Sequence, residues 1–139
     1  MIGIAKLPTM DTIIRPARES DLPTLGRLGE MLIQTHYDFD RQRFIEPHTG
    51  AAEGYAAFLG SQLRDQDALV LVAERAGQVD GYIYAALEPK SWKELREAAG
   101  FIHDVVVEEE SRRSGAAAEL VEAAEIYVKM VKKLKESDE

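Results

Sequence analysis

The chain has 139 residues, 45% of them hydrophobic and 30% charged, enough for one domain with a sizeable core and too apolar for a disordered chain. A formal net charge of −8 argues against nonspecific nucleic-acid binding and suits a cationic partner or an amine substrate. Cysteine is absent, which excludes disulfides, thiolate metal sites and a cysteine nucleophile. The longest apolar run, residues 68–73, is far too short to span a bilayer, and the opening MIGIAKLPTM lacks the charged and long apolar regions of a signal peptide. A cytoplasmic setting without a membrane partner is expected.

Residues 1–10 read as a loose lead-in. Residues 12–15 (TIIR) are β-branched and predict a short strand, stopped by Pro16, which cannot donate to a ladder. Ser20 is placed to cap a helix, with Asp21 at its positive end and Pro23 tolerated in the first turn. Leu22, Leu25, Leu28 and Leu32 recur every three or four residues and form one apolar stripe. Gly26 and Gly29 weaken that helix and point to a closely packed neighbour. Residues 36–48 (HYDFDRQRFIEPH) predict a polar, aromatic loop. It holds two histidines and the carboxylates Asp38, Asp40 and Glu46, but their spacing matches no zinc pattern, and no metal is expected. Tyr37, Phe39 and Phe44 are candidates to line a substrate pocket.

Thr49 is the expected cap of a second helix, with Tyr55, Phe58, Leu59 and Leu63 inward. Residues 68–74 form the first strong strand, residues 75–78 a glycine-containing hairpin turn, and residues 79–87 the returning antiparallel strand. Gly81 within that strand predicts a bulge or a close backbone approach. Ser91 and Glu94 have capping-box spacing, so a short helix with Trp92 and Leu95 on its apolar side is expected, ended by Gly100. Residues 101–107 are the third strong strand, and a short polar loop opens through residues 112–117 onto a long helix. The order β-α-α-β-β-(short α)-β-α describes an α+β fold with a largely antiparallel sheet.

Residues 101–121 combine an apolar strand, a polar loop ending in Gly115 and a helix start made of small residues. Amides in the first helical turn have no partner within the helix, and the helix dipole favours negative charge there, so this stretch can form an anion site. The same residues also fit an ordinary turn glycine beside two surface arginines, and spacing alone does not separate these readings.

Three features in this order resemble the GNAT superfamily of N-acetyltransferases. Ile14-Arg15-Pro16-Ala17, followed by Ser20-Asp21-Leu22, resembles the opening strand and first helix. The hairpin with Gly81-Tyr82-Ile83 resembles the central meander. Val105-Val106-Val107 leading to Arg112-x-x-Gly115-x-Ala117 is similar to the family's Q/R-x-x-G-x-G/A acetyl-CoA signature. The resemblance covers residues 12–124 and implies acetyl-CoA as cosubstrate. It implies that the backbone of Arg113, Ser114, Gly115, Ala116 and Ala117 binds the pyrophosphate, with Arg112 shaping the loop. Val105, Val106 and Val107 would pair with the pantetheine arm, and His103 or Asp104 would deprotonate an attacking small-molecule or peptide amine. Side chains alternate along a strand, so at most one of His103 and Asp104 is expected to face the cleft.

The resemblance stops at the end of the chain. The family's closing strands and final helix have no counterpart, so a C-terminally incomplete domain, truncated or engineered, is expected. Tyr127 is not assigned the family's thiolate-protonating role. We expect one domain over residues 1–139, with residues 11–124 family-like and 125–139 an atypical helical tail. In that tail Leu120, Ala124, Tyr127, Val131 and Leu134 form a heptad-like seam. Strand 101–107 is expected to be a bare sheet edge, which a homodimer or a covering helix would protect. Three readings follow: an acetyl-CoA-dependent N-acetyltransferase, a noncatalytic scaffold that at most binds CoA, and a helix-mediated interaction module.

Overall fold

The structure, a computed structural model, describes residues 11–137; the expected lead-in at residues 1–10 lies outside them. Four strands, β1 (Ile13–Pro16), β2 (Ala68–Arg75), β3 (Gln78–Glu88) and β4 (Ala99–Val107), form one sheet in the order β1-β2-β3-β4, each pair antiparallel. Its centre is apolar on both faces. From β2, Val70 and Val72 enter one core with Tyr82, Tyr84 and Val106, while Leu69, Leu71 and Ala73 enter a second with Ile83 and Val107. Strands buried on both faces read as continuous apolar runs, which is why residues 68–73 show no polar alternation.

Helices α1 (Leu22–Phe39) and α2 (Ala51–Leu63) cover the first face, with Leu25, Leu28 and Leu59 fully buried there. The expected close packing is present. A Cβ at Gly26 would clash with the Ala52 carbonyl oxygen, and one at Gly29 with the Tyr55 ring. The long helix α3 (Ala116–Ser137) covers the second face through Ala116, Leu120 and Ala124. The β2–β3 turn has positive φ at Ala76 (53°) and Gly77 (78°), the conformation that matches strand twist in a two-residue hairpin. At Gly81 a Cβ would stand 2.9 Å from the Val106 carbonyl oxygen, so the predicted close approach is that of β4.

The entry to α1 differs from expectation. Ser20 is exposed, and Asp21 occupies the N-cap position instead. Its carboxylate accepts two bonds from Arg15, Nη1 to Oδ2 at 2.8 Å and Nη2 to Oδ1 at 3.1 Å, and one from the Arg18 amide at 2.8 Å. Arg15 also reaches Glu74 of β2 at 3.2 Å, and Pro16 remains within β1, where an edge strand tolerates it. A hydroxyl offers no comparable bidentate partner to a guanidinium, so the carboxylate takes the position. Likewise α2 is preceded by Gly50 at φ 89° rather than capped by Thr49. Residues 36–39 continue α1 instead of opening the loop, and Phe58, although packed against Tyr55 and Tyr84, remains 42% exposed.

No helix forms at residues 91–98. The Glu94 amide does bond the Ser91 hydroxyl at 3.2 Å, but Ser91 and Arg96 close a tight antiparallel bridge with Leu95 at φ 54°. Trp92 and Leu95 are 78% and 86% exposed, so the helix would have had no surface to bury its apolar side against. Arg96 stabilises the turn instead, bonding the Pro89 and Glu97 carbonyls and lying over the Phe101 ring. The heptad-like seam holds only in part. Leu120 and Ala124 are buried, whereas Tyr127 is exposed and Leu134 is 63% exposed. Val128 already stands against Gly100, near the start of β4, so the last turns of α3 run past the sheet and are tied to it through Lys135 and Asp67.

Two stability measurements check this packing. Asp21→Ala is expected to lower the unfolding free energy by about 3 kcal/mol at neutral pH, because it strands a mostly buried arginine. Arg15 lowers the Asp21 pKa from its ordinary 3.8, so the carboxylate's contribution is complete above that value. It is lost as pH falls through the lower folded value, and the gap between mutant and parent in urea titrations should close on acidification. Gly26→Ala should cost about 2 kcal/mol although alanine is the better helix former, since two helices must separate to admit the methyl group.

Candidate active site

The register between β3 and β4 slips at one point. Tyr84 pairs with Asp104, but its neighbour Ala85 pairs with Ile102, so His103 is an extra residue on β4. Such a bulge breaks the alternation of side chains. The expectation that at most one of His103 and Asp104 faces the cleft is therefore corrected, because both lie on the α1/α2 side. The His103 ring stacks on Tyr84 at 5.0 Å and its Nε2 stands 3.0 Å from Glu88 Oε1. Asp104 Oδ2 accepts the Tyr82 hydroxyl at 3.1 Å.

Burial sets the electrostatics here. Loss of solvent pushes the Asp104 carboxyl up to about 6, with the charge of His36 on α1 drawing it partly back. Burial likewise pushes up the phenol of Tyr82, which stays a neutral donor. Tyr84 donates its hydroxyl to Gln62 of α2 at 2.9 Å, and the Phe58 ring meets it edge-on at 5.6 Å. These contacts lock the rings that frame Asp104 and His103. A carboxyl titrating close to neutral pH, beside a fixed hydroxyl, is suited to taking and releasing a proton.

Beyond the bulge, Val106 enters the α1/α2 core, while Val105 and Val107 pack under α3. β4 is the last strand of the sheet among the described residues, so the outer backbone edge of Val105–Val107 has no strand beside it. The chain then makes a 3₁₀ turn, Glu109–Ser111, and reaches α3 through residues 112–115. Arg112 folds back and donates Nε to the Val107 carbonyl at 3.3 Å. The buried Ser111 hydroxyl receives Arg75 Nη2 at 2.9 Å, which anchors the turn to β2. Gly115 has φ 85°, and the Ser114 hydroxyl accepts the Ala116 amide at 3.3 Å. Among the described residues the amides of Arg113, Gly115, Ala117 and Ala118 have no hydrogen-bond partner, and they stand at the positive end of a 22-residue helix.

The loop at residues 40–50 contributes less than its composition promises. His36 donates Nδ1–H to the Leu32 carbonyl at 2.8 Å, and His48 lies 2.9 Å from the Thr49 carbonyl. Among the described residues no three His, Asp or Glu side chains converge as metal ligands, and no helix is long and apolar enough to cross a membrane. Of the loop's aromatic residues, Phe44 meets His36 edge-on at 4.9 Å, while Phe39 is exposed and Tyr37 lies beneath Arg41. Tyr82, Tyr84 and Glu88, which contact His103 and Asp104, are not singled out in the sequence, and His36 is assigned there to the loop instead of to α1. The alternation Tyr82-Ile83-Tyr84 was a usable signal, since it puts both phenols on one face.

Comparison with known proteins gives the same architecture. An aminoglycoside antibiotic 6′-N-acetyltransferase of Acinetobacter haemolyticus superposes with a TM-score of 0.65 at 21% identity, over 86% of this chain and 73% of that one. An acetyltransferase of Vibrio fischeri gives 0.65 at 23%, over 86% and 88%. A Bacillus halodurans mutant protein gives 0.71 at 20%, over 85% and 75%. These identities establish the fold alone. No curated protein matches the chain in sequence. Residues 31–135 match the acetyltransferase (GNAT) family, three quarters of the sequence, including the whole of the bulged strand and loop and all but the last two residues of the helix described above, and the chain belongs to that family.

Proposed function

We propose that the protein is an acetyl-CoA-dependent N-acetyltransferase acting by direct transfer on a small-molecule or peptide amine. One observation carries this reading: the unpartnered amides at the Gly115 turn lie directly downstream of an open strand edge that leads back to Asp104. The fit is good at each point. Gly115 leaves open space where a side chain would project, and the free amides and helix dipole favour a pyrophosphate there. Arg112 holds the loop against Val107, Arg113 and Ser114 contribute backbone and charge, and Ala116 and Ala117 leave room for close approach. The edge of Val105, Val106 and Val107 can receive an extended amide-containing arm as a further strand would be received.

Acetyl-CoA supplies the activated acetyl group. The protein's own part is to orient the amine and accept its proton. Asp104 is the base in this reading, held by Tyr82, while His103 is a positioning residue stacked on Tyr84 and engaged with Glu88. Glu88, the stacked aromatic rings and the net charge of −8 favour a cationic amine. We place residues 1–139 in one working domain in the cytoplasm, and a homodimer belongs to the same reading. A CoA-binding protein without turnover is the second reading, favoured by one feature: among the described residues nothing stands beyond β4 to form the other wall of a cleft.

Saturating acetyl-CoA should raise the melting temperature by several degrees, corresponding to ~2.7 kcal/mol at a hundredfold excess over Kd. Gly115→Val should remove that shift, because a β-branched residue is strained at φ 85°; a folded parent protein with no shift in millimolar acetyl-CoA refutes both readings. Asp104→Asn should lower kcat/KM by about a hundredfold or more in an amine-acetylation assay. The parent's activity should rise with pH through about 6. The stability effect has the opposite sign. A raised carboxyl pKa gives stability that is present below 3.8 and lost as pH rises through about 6, so Asp104→Asn should stabilise the fold by on the order of 2 kcal/mol above that pH.

A further inference from the structure

The start of β4 and the flank of α3 beside it form one continuous surface. Residues 99–103 (AGFIH) contain no proline and no lysine, the residues that usually keep a sheet edge from pairing. Phe101 and Ile102 are 38% and 43% exposed there. Between this edge and α3 runs an open groove of about 440 Å³, lined by Gly100, Phe101, Ile102, Ala124 and Val128 and bordered by Glu125 and Lys129. Lys132 lies farther along the same flank, beside Ala99. Glu122, Glu125, Lys129 and Lys132 follow three-four-three spacing, so they share one side of the helix.

Their order has a symmetry. Glu125 and Lys129 lie two residues on either side of Tyr127, and Glu122 and Lys132 lie five residues on either side. A helix with this flank is complementary to its own copy laid antiparallel, and it repels a copy laid parallel. The centre of that symmetry is level with the strand edge, since Val128 packs directly on Gly100. One two-fold axis therefore serves both elements.

We propose that a second copy of this chain pairs with the first along β4, antiparallel, about a two-fold axis passing beside Phe101 and Tyr127. The two sheets then join at residues 100–102, each Ile102 enters the other copy's groove, and Glu125 and Glu122 of each α3 face Lys129 and Lys132 of the other. The bulge at His103 ends the paired stretch, so Val105–Val107 and the Gly115 turn stay open. The partner strand begins where the first copy's His103 and Asp104 stand, beside the edge of β4 that no strand among the described residues covers. This gives the homodimer of the proposed function its interface; it does not depend on the transferase chemistry.

Sedimentation equilibrium at about 100 µM tests it, a concentration at which a specific interface of ordinary size is populated. The parent protein should be a dimer. The double variants Glu122→Lys/Glu125→Lys and Lys129→Glu/Lys132→Glu should each be folded monomers, and an equimolar mixture of the two should form a dimer containing one of each by native mass spectrometry. Ile102→Pro, which removes an edge donor and the groove-filling side chain, should also be monomeric with an intact circular-dichroism spectrum. A monomeric parent overturns the proposal, as do charge variants that remain dimers or a mixture that stays monomeric. Thermal shift by acetyl-CoA is read in the same samples. A dimer that shows no shift leaves the interface standing and sinks the proposed function, and a monomer that shows one does the reverse.

Discussion

The fold depends on a hairpin that is apolar on both faces. β2 and β3 alternate Val70, Val72, Tyr82 and Tyr84 toward one side with Leu69, Leu71, Ile83 and Ala85 toward the other. Neither side can face water, so helices must cover both, and two cores result. On the first side, glycines at positions 26 and 29 let α1 and α2 approach closely enough to cover it together. On the second, α3 does so alone, and it can lie close because Ala116 and Ala124 are small. The Arg15 cluster then fixes where the chain enters, tying β1, the start of α1 and the end of β2 through one guanidinium.

That arrangement positions His103 and Asp104 through a single extra residue. Without the bulge at His103, strand alternation would send His103 and Asp104 to opposite faces. With it, both join the aromatic face built by Tyr82 and Tyr84. The same face is dry enough to raise the Asp104 carboxyl to about 6, so burial that serves packing also tunes a titrating group. Farther along, the strand ends in a turn whose amides are left free by Gly115 and by the start of α3. The proposed base and the proposed pyrophosphate turn are thus joined by Val105–Val107 and the 3₁₀ turn that follows β4.

The exposed side of β4 unites these features with the proposed assembly. A sheet edge is a row of unpaired donors and acceptors, and extended ligands and other strands compete for it on equal terms. Here the bulge divides that edge into two lengths. The part before His103 is flanked by the self-complementary charges of α3, and the part after it is flanked by the free amides of the turn. Partner and ligand need not compete.

Much of this was legible in the residues. Continuous apolarity over 68–73, the leucine spacing of α1, the Ala76-Gly77 turn and the run from Val105 to Ala117 each reflect a local rule of period, turn geometry or helix termini, and local rules act on neighbours in the chain. Gly26 and Gly29 even announced a neighbour without naming it. What misled was equally local. Ser20 and Ser91–Glu94 carry cap spacing, yet Arg15 on β1 holds Asp21 at the entry to α1, and Arg96 drew residues 91–96 into a tight turn. Tertiary structure alone decided three things: the pairing register that makes His103 an extra residue, the burial that shifts Asp104, and the point at which α3 outruns its sheet and exposes Leu134. Each depends on groups distant in sequence meeting in space, and no period or spacing within one segment encodes such a meeting.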